Sequence, residues 1–229
     1  QFPENSPPIL SKGKDCYVFD IDGNKYLDYG MGLRSVTVGY AYHSIAEAAI
    51  HEIMKGNNLP RASSTELKAA EKITELIPCG EMVKFAKNGS SVTTAAIKLA
   101  RAYTGRKKIA VCADHPFYSY DDWFISSTVV GKGIPSEYKN MTLKFNYNEI
   151  CSLEKIFKDY PKQIAAIIME PVTSTPPRDN FLSDIKKLCH KNGALFILDE
   201  MITGFRWHLN GAQKYFNVIP DLATFGKGM

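Results

Sequence analysis

Two uninterrupted apolar runs, residues 164–169 (Ile-Ala-Ala-Ile-Ile-Met) and 194–198 (Ala-Leu-Phe-Ile-Leu), constrain this chain more than any other feature. A strand with water on one face alternates apolar and polar residues. A run with no polar break needs cover on both faces, as a central strand of a parallel sheet has. Between the two runs, Leu182, Ile185, Leu188 and Cys189 recur at helical spacing, and Asn192-Gly193 closes the segment. Strand, helix, strand in that order is the unit of a parallel sheet. The chain therefore predicts an α/β fold with a largely parallel sheet, and ligands of such folds sit at the carboxyl ends of the strands.

The same alternation extends upstream. Met82-Val83-Lys84-Phe85-Ala86 and Ile109-Ala110-Val111-Cys112 predict strands, and Leu143-Lys144-Phe145 a weaker one. Asn88-Gly89-Ser90-Ser91 turns into a helix with an apolar stripe of Val92, Ala95, Ala96, Leu99, Ala100 and Tyr103. Asn148 is placed to cap a helix carrying Leu153, Ile156, Phe157 and Tyr160. Nearer the start, Cys16–Asp20 and Lys25–Asp28 flank Asp22-Gly23-Asn24, a hairpin signal. Ser44 and Glu47 have capping-box spacing ahead of Ile45, Ala49 and Ile53. Leu67, Ala70, Ile73 and Ile77 mark a further helix.

Charge and cysteine usage exclude several functions. The net charge of +4 is small and the lysines are scattered, so the basic stripe of a nucleic-acid binder is missing. No run reaches the ~18 apolar residues that a membrane span needs, and the start lacks the basic and apolar regions of a signal peptide. Five dispersed cysteines, with no CxxC pair, predict small buried hydrophobes in a reducing, cytoplasmic compartment rather than a disulfide framework. His43, His51, His115, His190 and His208 show no ligand spacing, so no metal is assigned. The last residues, Phe225-Gly226-Lys227-Gly228-Met229, follow an apolar strand with no helix to close the unit, and the polypeptide is expected to continue.

Chemistry is sought among the polar groups after each strand. Asp199 directly follows the run 194–198 and is either a helix N-cap or a functional acid at the sheet edge. Asn88-Gly89-Ser90-Ser91 is either a plain cap and turn or a phosphate cradle, since backbone N–H groups and a helix dipole favour an anion there. It is no GxGxxG fingerprint, and Gly226-Lys227-Gly228 is no P-loop. Lys227 reads as a solvated charge or as an amine reaching into a cleft, where burial would make it a nucleophile.

Taken together, three stretches resemble the class III aminotransferases of pyridoxal-phosphate (PLP) fold type I, in particular the glutamate-1-semialdehyde aminomutase-like branch. The first is Lys87-Asn88-Gly89-Ser90 with residues 95–101, and the second is Met169-Glu170-Pro171-Val172. The third runs over residues 198–206, 211–213 and 220–227, and sets an acid and a lysine 28 positions apart. The resemblance implies an aspartate aminotransferase-like large domain over 41–229, incomplete at its C-terminal end, with residues 1–40 part of a small domain. It implies PLP as cofactor, a homodimer, and small-molecule amino donor and oxo acceptor as substrates.

Roles follow from the same resemblance. Lys227 would hold PLP as a Schiff base and shuttle a proton, and Asp199 would pair with its ring nitrogen; these two are the catalytic residues. The cofactor-binding set is Asn88, Gly89, Ser90, Phe117, Tyr118, Glu170, Asp199, Met201 and Lys227. In it Gly89 and Ser90 hold the phosphate, Phe117 stacks on the ring, and Met201 packs on the opposite face. Glu170 and Glu200 match family acids, and each either contacts the cofactor or orders loops. Arg34 and Arg61 are candidates for a substrate carboxylate or are structural.

Departures fall on the substrate side. The family often has Tyr-His-Gly where this chain has Phe117-Tyr118-Ser119, and an acid where it has Ser91. Thr173-Ser174-Thr175-Pro176-Pro177 lacks the Asn or Glu that many members place after Glu170-Pro171-Val172. Three readings follow: a ping-pong aminotransferase, an aminomutase moving the amino group within one molecule, and a PLP-binding paralogue without turnover. Retention of both Asp199 and Lys227 speaks against the last.

Overall fold

The computed structural model describes residues 6–56, 59–114 and 118–229. The chain divides into two compact units, one running to Lys68 and the other from Ala69 to Lys227.

In the first unit β1 (Leu10–Lys14), β2 (Tyr17–Asp20) and β3 (Lys25–Leu27) form an antiparallel sheet in that order. The β2–β3 hairpin is the one expected. Asp20 builds its turn, accepting from the backbone N–H groups of Asp22 (3.0 Å) and Asn24 (2.8 Å) and from the Tyr26 hydroxyl (2.9 Å). Strand β1 was not expected, because Leu-Ser-Lys-Gly-Lys carries no apolar alternation. A single turn, α1 (Met31–Arg34), has positive φ throughout, at Met31, Gly32, Leu33 and Arg34.

Helix α2 (His43–Met54) corrects the Ser44–Glu47 capping box. It begins two residues early, with Tyr42 at the N-cap and no side-chain cap, so Ser44 already lies in the first turn. Glu47 pairs instead with His43 Nε2 at 3.1 Å. Helix α3 (Ser64–Leu76) follows, its first turn capped by Ser63 Oγ, which accepts from the Glu66 N–H at 3.0 Å.

The second unit holds a five-stranded sheet: β4 (Lys108–Cys112), β5 (Thr142–Phe145), β6 (Ile164–Met169), β7 (Leu195–Asp199) and β8 (Leu222–Thr224). The order is β5-β4-β6-β7-β8 and every pair is parallel. Beyond the short α5 (Asp122–Ile125), helices α6 (Ile150–Asp159) and α7 (Phe181–Lys191) share one core with Ala110, Phe145, Ile167, Phe196 and Leu198. On the opposite side α4 (Gly89–Thr104) places Ile97 and Ala100 in a core with Ile109, Val111, Ala166, Ile168 and Ile197. All six residues of β6 are buried, as a strand covered on both faces requires.

Three local expectations fail here. Residues 82–86 form no ladder and instead line a cavity of about 160 Å³ with Ile73, Ile77, Val92 and Ala223. A short apolar run supplies hydrophobic cover but does not specify a strand partner. Helix α4 buries Thr93, Ile97 and Ala100, while Leu99 and Tyr103 are exposed. The face that meets the sheet carries Thr93, Ile97 and Ala100 at i, i+4 and i+7, a step round the helix from Leu99 and Tyr103. Asn148 does not cap α6, whose N-cap is Glu149. With φ +61° it turns its amide to the loop beyond β6, donating to Pro176 O at 3.1 Å and accepting from the Arg178 N–H at 2.9 Å.

Only Cys112 and Cys189 are buried; Cys16 and Cys151 are exposed, so the cysteines are less uniformly core residues than expected. Among the described residues no helix is long and apolar enough to cross a membrane.

Candidate functional site

Parallel strands end on one side, so residues far apart in sequence meet at a common edge. Helix α4 starts there. Asn88 takes an extended backbone conformation and its Oδ1 accepts from the Ser91 N–H at 2.9 Å, a true N-cap. The first-turn N–H groups of Gly89 and Ser90 have no intrahelical acceptor, and the helix dipole makes the end positive. A phosphate suits such a place.

Asp199 closes β7 and is 3% exposed. Its Oδ1 accepts from Thr224 Oγ1 at 2.8 Å and from the Met201 N–H at 3.0 Å. Thr224 is its register partner across the β7–β8 ladder. Burial raises the Asp199 carboxyl to about 6, against the two hydrogen bonds and the positive charge of Lys227, which favour the ionised form. Lys227 follows β8 with φ +54° and is solvent-exposed. The acid and the lysine are thus brought within electrostatic reach of each other.

Met201 joins the two glycine positions of the site. A methyl group at Gly89 would lie 3.0 Å from Met201 Cε, and one at Gly226 would overlap Met201 Sδ. Glycine at both places lets the chain pass against the thioether.

Glu170, immediately after β6, is 4% exposed, and its N–H donates to Tyr118 Oη at 3.2 Å. The Tyr118 ring is buried, edge-on to Phe124 with centroids 5.4 Å apart. Burial holds its phenol well above the usual value, and the Asp199 and Glu170 carboxylates add to this, so it stays protonated. Phe117 lies outside the described residues.

Glu200 resolves toward loop ordering. Fully buried, it accepts from the Ala212 N–H, the Gln213 N–H (3.2 Å), Gln213 Nε2 (3.0 Å) and Thr203 Oγ1 (3.3 Å). Arg34 and Arg61 are exposed in the first unit. Among the described residues no group of His, Cys, Asp and Glu could hold a metal.

The structure therefore brings Asn88, Gly89, Ser90, Tyr118, Glu170, Asp199 and Met201, with Lys227, to the carboxyl edge of one sheet. Sequence reasoning missed Thr224, the second hydrogen-bond donor to Asp199. Its signal was the parallel register of two strands, which spacing along the chain does not reveal.

The family Aminotransferase class-III matches residues 3–229. A curated relative, glutamate-1-semialdehyde 2,1-aminomutase 2 of Lachnoclostridium phytofermentans, is 38% identical over 235 residues, covering 97% of this chain and 55% of that protein. The crystal structure of an omega-transaminase from Sphaerobacter thermophilus superposes with a TM-score of 0.92 at 26% identity, over 99% of this chain and 56% of that one. The internal aldimine form, with PLP, of the Sphingopyxis sp. MTA144 FumI protein gives 0.91 at 27% identity, over 99% and 55%. The chain spans about half the length of the relatives it matches.

Proposed function

The chain belongs to the class-III aminotransferase family, with a type I pyridoxal-phosphate fold, and on that premise we propose that it is the cofactor-holding part of a PLP-dependent aminotransferase. The observation that carries this reading is Asp199. Among the described residues both hydrogen bonds to this buried carboxylate converge on Oδ1, which leaves Oδ2 for a cationic ring nitrogen.

The residues fit the cofactor. Asn88, Gly89 and Ser90 would take the phosphate at the positive end of α4, Asp199 the ring nitrogen, and Lys227 the carbonyl carbon. Met201, Glu170, Tyr118 and Phe117 would complete the binding set. When bound, PLP supplies a carbonyl that accepts the amino group and a ring that draws electrons from it. Asp199 would keep a negative charge fixed under the ring nitrogen. The Lys227 amine would take a proton from the substrate α-carbon and return it. The two glycines beside Lys227 leave room for its side chain to move.

In the full-length protein, borohydride should fix PLP irreversibly to Lys227, as peptide mass analysis would show. Lys227→Ala should abolish both the adduct and turnover. An adduct on Lys214 or Lys87 would overturn the assignment.

The reaction proposed is ping-pong transfer from an amino-acid donor to an oxo acceptor. The 38% identity to an aminomutase favours a second reading, transfer within one molecule. An amino donor that proves dispensable for turnover would select it. The whole protein is proposed to be a cytoplasmic homodimer, with residues 1–40 in a small domain and 41–229 in the large one. A fully active monomer on sedimentation at low concentration would refute the dimer.

A further inference from the structure

Three consecutive residues after β4 are tied to the first two turns of α4. The Tyr118 carbonyl accepts from Thr93 Oγ1 at 2.8 Å. Ser119 Oγ lies 3.1 Å from Thr94 Oγ1. The Tyr120 N–H donates to Ser90 Oγ at 3.3 Å. Ser119 and Thr93 are buried, so each hydroxyl must find its partners within the protein.

Hydroxyl arithmetic directs the protons. Thr94 Oγ1 accepts from Trp123 Nε1 at 2.8 Å and donates its only proton to Asp121 Oδ2. It therefore cannot donate to Ser119. Ser119 Oγ accepts from the Asp121 N–H at 3.1 Å and must give its own proton to Thr94 Oγ1, or to Ser90 O at 3.5 Å. In both arrangements Ser119 is the tie whose one hydroxyl accepts from the 118–121 segment and donates to α4. Alanine there would leave the Asp121 N–H without its acceptor and remove the hydroxyl's link to α4.

We propose that Ser119 is a positioning residue for anion binding: through Thr94 and the Ser90 turn it sets the N–H groups at the start of α4 in the orientation that receives the cofactor phosphate. This rests on the function proposed above, and it deepens it at a residue that touches neither ring nor substrate. It also gives Tyr118-Ser119 a physical role. Tyr118 seals the core and accepts the Glu170 N–H, while Ser119 braces the helix.

The test separates phosphate from ring by titrating the full-length protein with PLP and with pyridoxal, which lacks the phosphate. Ser119→Ala should raise the PLP dissociation constant about tenfold, the worth of one ordinary hydrogen bond. Its affinity for pyridoxal should stay within about twofold of wild type, since each factor of ten is 1.4 kcal/mol and no ring contact is lost. Ser119→Gly should do the same, which guards against one variant folding badly. In a Ser90→Ala background the effect of Ser119→Ala should shrink, because the two act on one turn.

Unchanged PLP affinity in both Ser119 variants would overturn the inference while leaving the proposed function standing. So would an equal loss for PLP and pyridoxal, the mark of a general loosening. A wild-type protein that binds neither ligand would bring down both readings together.

Discussion

Asp199 and Glu200 are neighbours, both buried acids at the end of β7, yet they serve regions of opposite kinds. Glu200 faces the 203–213 loop and is saturated: two backbone N–H groups, an amide and a hydroxyl all donate to it. Gly211 is part of the same knot, since a Cβ there would lie 2.7 Å from Glu200 Oε1. Asp199 faces Met201 and Lys227; among the described residues both its donors sit on one oxygen, and its carboxyl is raised to about 6. A buried acid surrounded by donors holds structure together. A buried acid with unused acceptor capacity is set up to receive something.

The largest expected effect tests the structural half. Glu200→Ala strips the acceptor from several buried donors at once and should cost about 3–5 kcal/mol of stability. Urea unfolding measures this. A loss below about 1 kcal/mol would mean that the loop does not depend on Glu200 and that the contrast is false.

The next effect tests the functional half. Asp199→Asn keeps volume and hydrogen bonding but removes the charge. In the holoenzyme, conversion of the amino donor should slow by an amount on the order of 2–4 kcal/mol of barrier, the scale of one preorganised electrostatic partner. PLP binding should weaken only modestly. Stopped-flow rates at the wild-type value, with normal cofactor binding, would reduce Asp199 to a strand-end cap.

The smallest effect sharpens the comparison through pH. The folded carboxyl of Asp199 is raised from 3.8 to about 6. Its ionisation is therefore easier in the unfolded chain, and its contribution to stability, present below about pH 3.8, is lost as pH rises through about 6. Asn has no such titration. The cofactor-free Asp199→Asn protein should match wild type near pH 4 and exceed it at pH 7, by on the order of 1–3 kcal/mol. Parallel stability profiles across this window would show that the acid is not penalised by burial.

Much of this was legible in the chain, for reasons that differ by residue. Runs 164–169 and 194–198 announced doubly covered strands because burial leaves no polar position in them. Asp199 and Lys227 stood out because each ends an apolar run. The face of α4 was read a step off, because Val92, Leu99 and Tyr103 make the more hydrophobic stripe, whereas Thr93 and Ile97 are buried beside Ala100, the position both readings share. Asn148 was misread as a cap because an Asn before a helical stripe has several possible partners, and its loop partners, Pro176 and Arg178, lie 28 and 30 residues away. Ser119, Thr94 and Asp121 carried no signal, since a hydroxyl network exists only once the helix and the loop are packed together.

The all-parallel sheet has a consequence for how the site comes into being. Adjacent parallel strands cannot be joined by a short hairpin, so each pairing in β5-β4-β6-β7-β8 closes a long loop before its contacts stabilise it. Thr224, which orients Asp199, lies on β8, and Lys227 follows only three residues later. A nascent chain could therefore hold its central strands in place and still have no site. Only when β8 docks on β7 are the acid and the amine brought together, so recruitment of the cofactor would read out that one pairing rather than the collapse of the sheet.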